Sequence, residues 1–332
     1  MSELNGYNQN DQYIFDTEIK PFLPQKVFDA HTHLCSGRFA PDLPKAIAFA
    51  ADPSFGEVTL ESLRSWQKML FPAQSVNSLV LGYPTAQTDI AAHNEFLASQ
   101  CTSPGDRISI LCRPDTKPKQ LEEWIRKYKP AGLKPYMCFS KKKNFNESDI
   151  TDLIPEPLIA LADTYNLSIT LHVAKVRGMA DEKNIKDIAA LSKKYKNCNF
   201  ILAHCGRCFI SPNMEHAAQS ILEAENIWFD TSAVCDTGVF LWLFSKRNPK
   251  QILFGTDLVT AAAFRGSYIR LGTSWDIVTS DALTRPGGQT IKATFAAYEN
   301  LCALFCAARF CGLKENQIHD IFYANAQRLF KL

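Results

Sequence analysis

Residues 26–37 read KVFDAHTHLCSG, an apolar strand-like run that ends in two histidines. In an open, doubly wound α/β sheet, the first strand usually ends in a glycine-rich loop that binds phosphate. Here the corresponding position holds His31 and His33, which alternate along the strand and therefore share one face. The stretch favours a closed barrel with polar side chains at its mouth, and the open sheet remains the alternative.

Seven further short apolar runs follow, and amphipathic segments such as LEEWIRKYK separate them. Strands that alternate with helices indicate a parallel sheet, and eight such units within about 250 residues predict a (β/α)8 barrel of the TIM type. The predicted strands cover residues 26–34, 75–84, 107–115, 131–137, 167–174, 199–206, 226–233 and 251–258.

The domain organisation follows from this rhythm. We expect an N-terminal extension over residues 1–25 and a single barrel domain over residues 26–332. Residues 259–290 include RGSYIRLGTSWD and TRPGGQT, too long and too rich in glycine for a simple turn. This segment is predicted to form a loop over the barrel mouth.

Composition excludes several functional classes. A net charge of +2 over 332 residues gives no electrostatic reason for nucleic-acid or membrane binding. No apolar run is long enough for a membrane span, and the first 25 residues lack the pattern of a secretion signal. The 11 scattered cysteines are expected to be reduced thiols in a cytoplasm. Composition leaves the oligomeric state open, with a homo-oligomer as one possibility.

Six side chains with useful chemistry fall at or near the carboxyl ends of five predicted strands, where barrel enzymes hold their active sites. Alternation along each strand aims them at one place: His31, His33, Lys134, His172, His204 and Asp257. Imidazoles and carboxylates are common ligands of zinc and related divalent metals, which can activate a bound water. A lone buried histidine is more often a core residue, but this combination predicts a divalent metal site, with zinc favoured.

Further polar residues fall near the same edge. Four basic residues lie just beyond predicted strands and are expected to bind a small anionic substrate: Arg113, Lys175, Arg177 and Arg207. Tyr136, Asp230 and Ser232 share the inward alternation and are expected to line the pocket.

The motifs FDAHTHL, LHVAK, LAHCGR and FGTD, in this order, resemble the amidohydrolase superfamily. The strand GLKPY, the strand DTSA and the closing NAQRLF look most like its amidohydrolase-related branch, which includes lactonases, non-oxidative decarboxylases and hydratases. The resemblance spans residues 26–331.

The resemblance implies a role for each residue at the strand ends. His31, His33, His172 and Asp257 would bind the more buried metal, and Asp257 would also pass a proton to the leaving group. His204 would bind a second metal, position water or polarise the substrate. Lys134 has three interpretations: a cation that holds the substrate, a carboxylated lysine that bridges two metals, or a structural residue in a salt bridge.

On this basis the first expectation is a metal-dependent hydrolase that acts on a lactone, ester or amide bond of a small anionic compound. The alternative is a non-oxidative decarboxylase or hydratase of the same fold. A catalytically silent binding barrel is a more remote reading, because the full set of ligands is present.

Overall fold

The computed structural model describes residues 6–43, 57–259, 261–279, 287–288 and 292–332. Eight parallel strands follow one another around a sheet in chain order. They are β1 Lys26–Ser36, β2 Ser75–Gly82, β3 Arg107–Cys112, β4 Gly132–Pro135, β5 Ser168–Leu171, β6 Asn199–Leu202, β7 Ile227–Asp230 and β8 Ile252–Leu253. A two-residue strand, Glu57–Val58, adds antiparallel to the end of β1.

The sheet closes between β1 and the segment that follows β8. The amide of Ala30 donates to the Phe254 carbonyl at 2.8 Å. The buried carboxylate of Asp29 accepts from the Thr256 amide at 2.9 Å and from its hydroxyl at 2.6 Å. Because the first and last strands are joined, the predicted (β/α)8 barrel is confirmed, and the open sheet is wrong.

Amphipathic helices surround the barrel. Pro118–Tyr128 illustrates why they form: proline begins the helix, the residues Leu121 and Ile125 bury one stripe, and Lys129 ends it with a left-handed φ of 47°. Apart from the irregular segment Ala203–Arg207, the other α-helices in the described ranges are Gln9–Ile14, Leu60–Leu70, Ile90–Gln100, Ile150–Leu153, Glu156–Thr164, Glu182–Lys194, Ser211–Glu215, Gln219–Glu223, Thr237–Lys246, Ala296–Phe310, Glu315–His319 and Asn325–Phe330. Within those ranges, every helix is too short or too polar to cross a bilayer.

A bulge in β1 positions the histidines. Asp29 pairs with Ser78 and Thr32 pairs with Val80, so β1 carries one residue more than β2 between these pairs. The extra residue shifts the alternation: Ala30 belongs to a buried cluster inside the barrel, whereas the next residue lines the mouth. The rest of that cluster is Phe28, Leu79, Leu81, Ile201, Trp228, Leu253, Ala326 and Phe330.

The segment predicted as a loop over the mouth contains an antiparallel hairpin, with strands β9 Gly266–Leu271 and β10 Ser274–Thr279. We call β9 and β10 the mouth hairpin. Residues 260, 280–286 and 289–290 of that prediction lie outside the described residues, as do residues 1–5 of the predicted N-terminal extension.

The described part of the N-terminal extension contacts the base of the mouth hairpin. Asp11 accepts from both Nη atoms of Arg265, at 2.9 and 2.6 Å, and from the Thr294 hydroxyl at 2.8 Å. Arg265 also lies over the ring of Phe295, at 4.3 Å from its centroid. The first helix therefore holds the root of the hairpin in place.

Candidate metal centre and active site

The carboxyl ends of the strands surround a cavity of about 180 Å³. Its polar wall contains all six side chains that the sequence assigned to one place: His31, His33, Lys134, His172, His204 and Asp257. They come from β1, β4 and the segments that follow β5, β6 and β8, so residues far apart in sequence meet at one edge of the barrel.

Asp230, at the end of β7, orients two of the histidines from behind. One of its oxygens accepts from Nδ1 of His31 at 2.9 Å. The other accepts from the amide of His204 at 3.1 Å and from the hydroxyl of Ser232. The same hydroxyl accepts from Nδ1 of His204 at 2.9 Å. This network gives both imidazoles an Nδ1 proton and leaves their Nε2 lone pairs directed away from Asp230.

His33 has the same tautomer for a different reason. The hydroxyl of Tyr136 donates to the Gly82 carbonyl at 2.8 Å, so it accepts from Nδ1 of His33 at 3.3 Å. The three Nε2 atoms then face Asp257, at 2.9 Å for His33 and 3.8 Å for both His31 and His204. Lone pairs and a carboxylate repel one another unless a cation lies between them.

The protonation states fit that conclusion. Burial lowers the pKa of His31 and His33, and lowers that of His204 to about 4. Burial alone would raise the pKa of Asp257, but the neighbouring histidines bring it down to about 2. Neutral imidazoles and an ionised carboxylate are the forms that bind a divalent metal.

The donor atoms of His31, His33 and Asp257 lie within 4.8 Å of one another, close enough to share one ion. Nε2 of His204 lies 3.8 Å from the second carboxylate oxygen of Asp257. In this position His204 is suited to act as a fourth ligand of that ion or as a ligand of a second ion. His172 lies one ring further away, with its centroid 5.0 Å from that of His204. Its predicted role as a ligand stays a prediction.

Lys134 is 1% exposed and lines the cavity. Its amine lies 5.1 Å from the centroid of the Tyr136 ring, and no hydrogen bond or salt bridge joins it to any residue in the described ranges. Burial lowers its pKa to about 8, with Asp230 and Asp257 opposing the shift. The amine is therefore largely charged at neutral pH, and the described residues give no support to the interpretation as a structural residue in a salt bridge.

The opposite wall of the cavity is largely aromatic. Phe209 stacks on Tyr268 at 5.2 Å and contacts Trp275 at 4.2 Å between ring centroids. The mouth hairpin provides the last two residues, and Tyr83 adds another ring at the end of β2. The site therefore combines a metal-ligand set, a buried amine and flat apolar surfaces in a small space.

A family model described as amidohydrolase matches residues 28–332. The chain belongs to the amidohydrolase family. The resemblance inferred from the motifs is confirmed, and it brings with it a family of metal-dependent enzymes. None of the curated proteins compared with the chain is significantly similar to it.

Solved amidohydrolase structures share the fold. A 2,6-dihydroxybenzoate decarboxylase, solved with 2,6-dihydroxybenzoate, has a TM-score of 0.60 at 14% identity, covering 93% of this chain and 99% of that one. A dihydroxybenzoic acid decarboxylase from Polaromonas sp., solved with manganese and 2-nitroresorcinol, gives 0.58 at 16% identity, covering 93% and 98%. The 4-oxalomesaconate hydratase from Rhodopseudomonas palustris gives 0.54 at 16% identity, covering 92% and 95%.

In this amidohydrolase, two of the five predicted substrate-binding residues line the cavity: Tyr136 and Arg207. The other three lie elsewhere. Arg113 donates to the Ala86 carbonyl at 2.5 Å and lies over the ring of Phe139.

Lys175 and Arg177 follow β5 but turn away from the mouth. The amine of Lys175 pairs with Asp149 at 3.1 Å, and Arg177 is exposed. Neither lines the cavity, so the structure gives neither of them a place at the substrate.

Sequence reasoning missed the aromatic wall and the full role of Asp230. Tyr83 lies at the carboxyl end of the predicted strand 75–84, so its position alone could have suggested it. Tyr268 and Trp275 gave no such signal, because an inserted hairpin docks them over the mouth. Asp230 was expected to line the pocket, yet it lies behind the histidines with no exposed surface.

Proposed function

We propose that this amidohydrolase is a metal-dependent, non-oxidative decarboxylase of a small, planar, unsaturated or aromatic carboxylate. The observation that carries the proposal is the cavity itself: aromatic rings face a metal-ligand set, and Lys134 and Arg207 between them have no carboxylate partner among the described residues. The two decarboxylases of similar fold support it. The cavity is smaller than the roughly 300–1,000 Å³ of pockets that bind drug-sized ligands, which favours a single ring.

The geometry suits loss of carbon dioxide. The carbon–carboxylate bond breaks, carbon dioxide leaves, and the electron pair left on the ring carbon takes up a proton. A divalent metal, held by His31, His33 and Asp257, would act as a Lewis acid for negative charge on the substrate. The amine of Lys134 holds an acidic group of the substrate within a low-dielectric site.

Asp257 is ionised, so it would take a proton from water and pass it to the ring carbon; it is well placed to do so because it lines the cavity and contacts three histidines. Tyr268 and Trp275 cover the ring and limit the access of water. The nitrogen-rich ligand set favours zinc. Manganese is the competing choice, because the Polaromonas enzyme was solved with it.

Hydrolysis of a lactone or ester is the second candidate. It is supported by the position of Asp257, a carboxylate that lines the cavity beside three histidines and could accept a proton from water. The same cavity would then hold the acid part of the substrate.

Product analysis separates the two reactions. The metal-loaded protein is incubated with hydroxybenzoates and with aromatic lactones, and carbon dioxide and organic products are both quantified. Release of carbon dioxide with one equivalent of decarboxylated product supports the proposal. Formation of a new acid without gas supports hydrolysis instead.

Two variants link the products to the site. Asp257→Asn should abolish turnover, because the amide cannot carry the proton. Asp187→Asn, which changes a carboxylate paired with Lys183 on an outer helix, should leave turnover intact. Substantial activity in Asp257→Asn would contradict the assigned role of Asp257, and absence of bound divalent metal in active protein would exclude both reactions as written.

A further inference from the structure

The segment that follows β6 makes a left-handed turn. Four consecutive residues have positive φ: His204 at 54°, Cys205 at 52°, Gly206 at 68° and Arg207 at 57°. Three of the four are not glycine, and each such residue in this conformation costs roughly 1–2 kcal/mol. A run of strained residues persists only when the surrounding structure holds it in place.

Packing against a neighbouring loop provides that restraint. A Cβ atom at Gly178 would lie 2.4 Å from the Gly206 carbonyl oxygen and 2.8 Å from that of Arg207. A Cβ atom at Gly206 would lie 2.7 Å from the side chain of Met179. The two backbones are therefore in direct contact, and this contact fixes the direction in which the turn presents its side chains.

The turn delivers two side chains to the same cavity. His204 reaches the metal-ligand set, and Arg207, three residues later, lines the wall. The guanidinium of Arg207 donates to the Val173 carbonyl at 3.1 Å, and its buried Nε has no acceptor. No carboxylate within the described ranges lies within 4 Å of it.

Other arginines with buried contacts show how unusual this is. Arg64 pairs with Asp106, and Arg265 pairs with Asp11. Arg247 has no acidic partner among the described residues but donates to the carbonyls of Ala224 and Ile227, and it does not line the active-site cavity. Arg207 differs from all three because its unused donor belongs to a residue of the active-site cavity.

We infer that the cavity binds a substrate with two acidic groups, and that Arg207 selects for the second one. The first group lies at the metal-ligand set beside Lys134, and the second accepts from the guanidinium of Arg207. The substrate class is a small aromatic or conjugated dicarboxylate, or a carboxylate with a second ionised group. This inference rests on the proposed function only because both assign the substrate to the same cavity.

Binding of two unreactive ligands tests it. Benzoate and isophthalate differ by one carboxylate, and titration calorimetry on the metal-loaded protein gives the affinity of each. A charge-assisted hydrogen bond predicts that the wild-type protein binds isophthalate about ten- to a hundredfold more tightly. Equal affinities would overturn the inference, whatever the behaviour of any variant.

The variants then assign the preference to one side chain. In Arg207→Met the preference should fall to near parity while benzoate affinity is kept, and Arg207→Lys should retain part of it. Arg126→Met, which removes an exposed arginine paired with Glu122, should behave as wild type. Equal loss of both ligands in Arg207→Met and Arg207→Lys would mean that Arg207 serves only the structure of the cavity, and would also overturn the inference.

The outcome is separable from that of the proposed function. If no compound releases carbon dioxide but isophthalate still binds more tightly through Arg207, decarboxylation fails and the inference stands. If monocarboxylates are decarboxylated and bind as well as dicarboxylates, decarboxylation stands and the inference fails.

Discussion

A methyl group added at Gly178 tests whether contact between two backbones holds the left-handed turn. Gly178 has a φ of 54°, so alanine there carries the cost of a left-handed residue, roughly 1–2 kcal/mol. The new Cβ would also lie 2.4 Å from the carbonyl oxygen of Gly206. Backbone cannot move aside as a flexible side chain does, and overpacking of this kind costs about 1–3 kcal/mol more. Gly178→Ala should therefore lower the free energy of unfolding by about 2–5 kcal/mol.

Gly312→Ala is the matched control. Gly312 has a φ of 66°, and a Cβ there would meet nothing within 4 Å. Its alanine variant carries the conformational cost alone, roughly 1–2 kcal/mol. The difference between the two variants, measured by urea unfolding of metal-free protein, isolates the contact with the turn.

Catalysis gives the second measurement. Displacement of the turn moves His204 and Arg207 together, so Gly178→Ala should weaken isophthalate binding and slow turnover, whereas Gly312→Ala should change neither. Equal destabilisation by the two substitutions would refute the steric argument. Unchanged binding and turnover in a measurably destabilised Gly178→Ala would show that the turn does not depend on this contact.

Three other perturbations follow from the structure. Asp230→Asn should weaken metal affinity by about ten- to a hundredfold in a chelator competition, because an amide cannot accept all the hydrogen bonds of the carboxylate; unchanged affinity would remove Asp230 from the site. Burial lowers the pKa of His93 to about 4, whereas the same side chain has a pKa of 6.5 in the unfolded chain. Between these pH values only the unfolded chain binds a proton at His93, so a fall in pH reduces the stability of the folded protein. In metal-free protein, His93→Phe should therefore reduce the slope of unfolding free energy against pH between those values by about 1.4 kcal/mol per pH unit. An unaltered slope would mean that His93 is not neutral in the folded protein. Asp11→Ala leaves Arg265 without its carboxylate partner and should lower the free energy of unfolding in urea by about 3 kcal/mol. Because Arg265 lies at the base of the mouth hairpin, the substitution should also raise KM more than it lowers kcat. A fall in kcat alone would argue against a link between Asp11 and the mouth hairpin.

The strand ends were the most predictable part of the site. Side chains alternate along a strand, so a histidine or aspartate at the carboxyl end of a barrel strand points either into the mouth or into the helix layer. Applied to the predicted strands 26–34 and 251–258, that rule brought His31, His33 and Asp257 together in advance, although Asp257 lies four residues beyond the end of β8 in the structure. It also placed Lys134 correctly, because the surrounding residues of β4 identify the strand without ambiguity.

The same rule is unreliable beyond the end of a strand, where alternation ends, although His172 and His204, one and two residues beyond β5 and β6, do line the cavity. Arg113 follows β3 and Lys175 follows β5, and both were expected at the substrate. Lys175 has a φ of 73°, which reverses the chain direction and sends its amine to Asp149. Arg113 reaches the Ala86 carbonyl instead of the cavity. A basic residue beside a strand end carries no information about direction until the backbone of the loop is known.

The left-handed turn at residues 204–207 shows why the remaining features were out of reach. Local preference disfavours positive φ for histidine, cysteine and arginine, and the strand predicted over residues 199–206 includes His204 and Cys205, so the sequence gives no sign of a left-handed turn. The conformation exists because Gly178, distant in sequence, lets a second loop approach the turn. Tertiary packing thus stabilises a backbone that local preference would reject, and it does so where His204 and Arg207 must face one cavity. The strain and the proposed selectivity for a second acidic group have one structural cause.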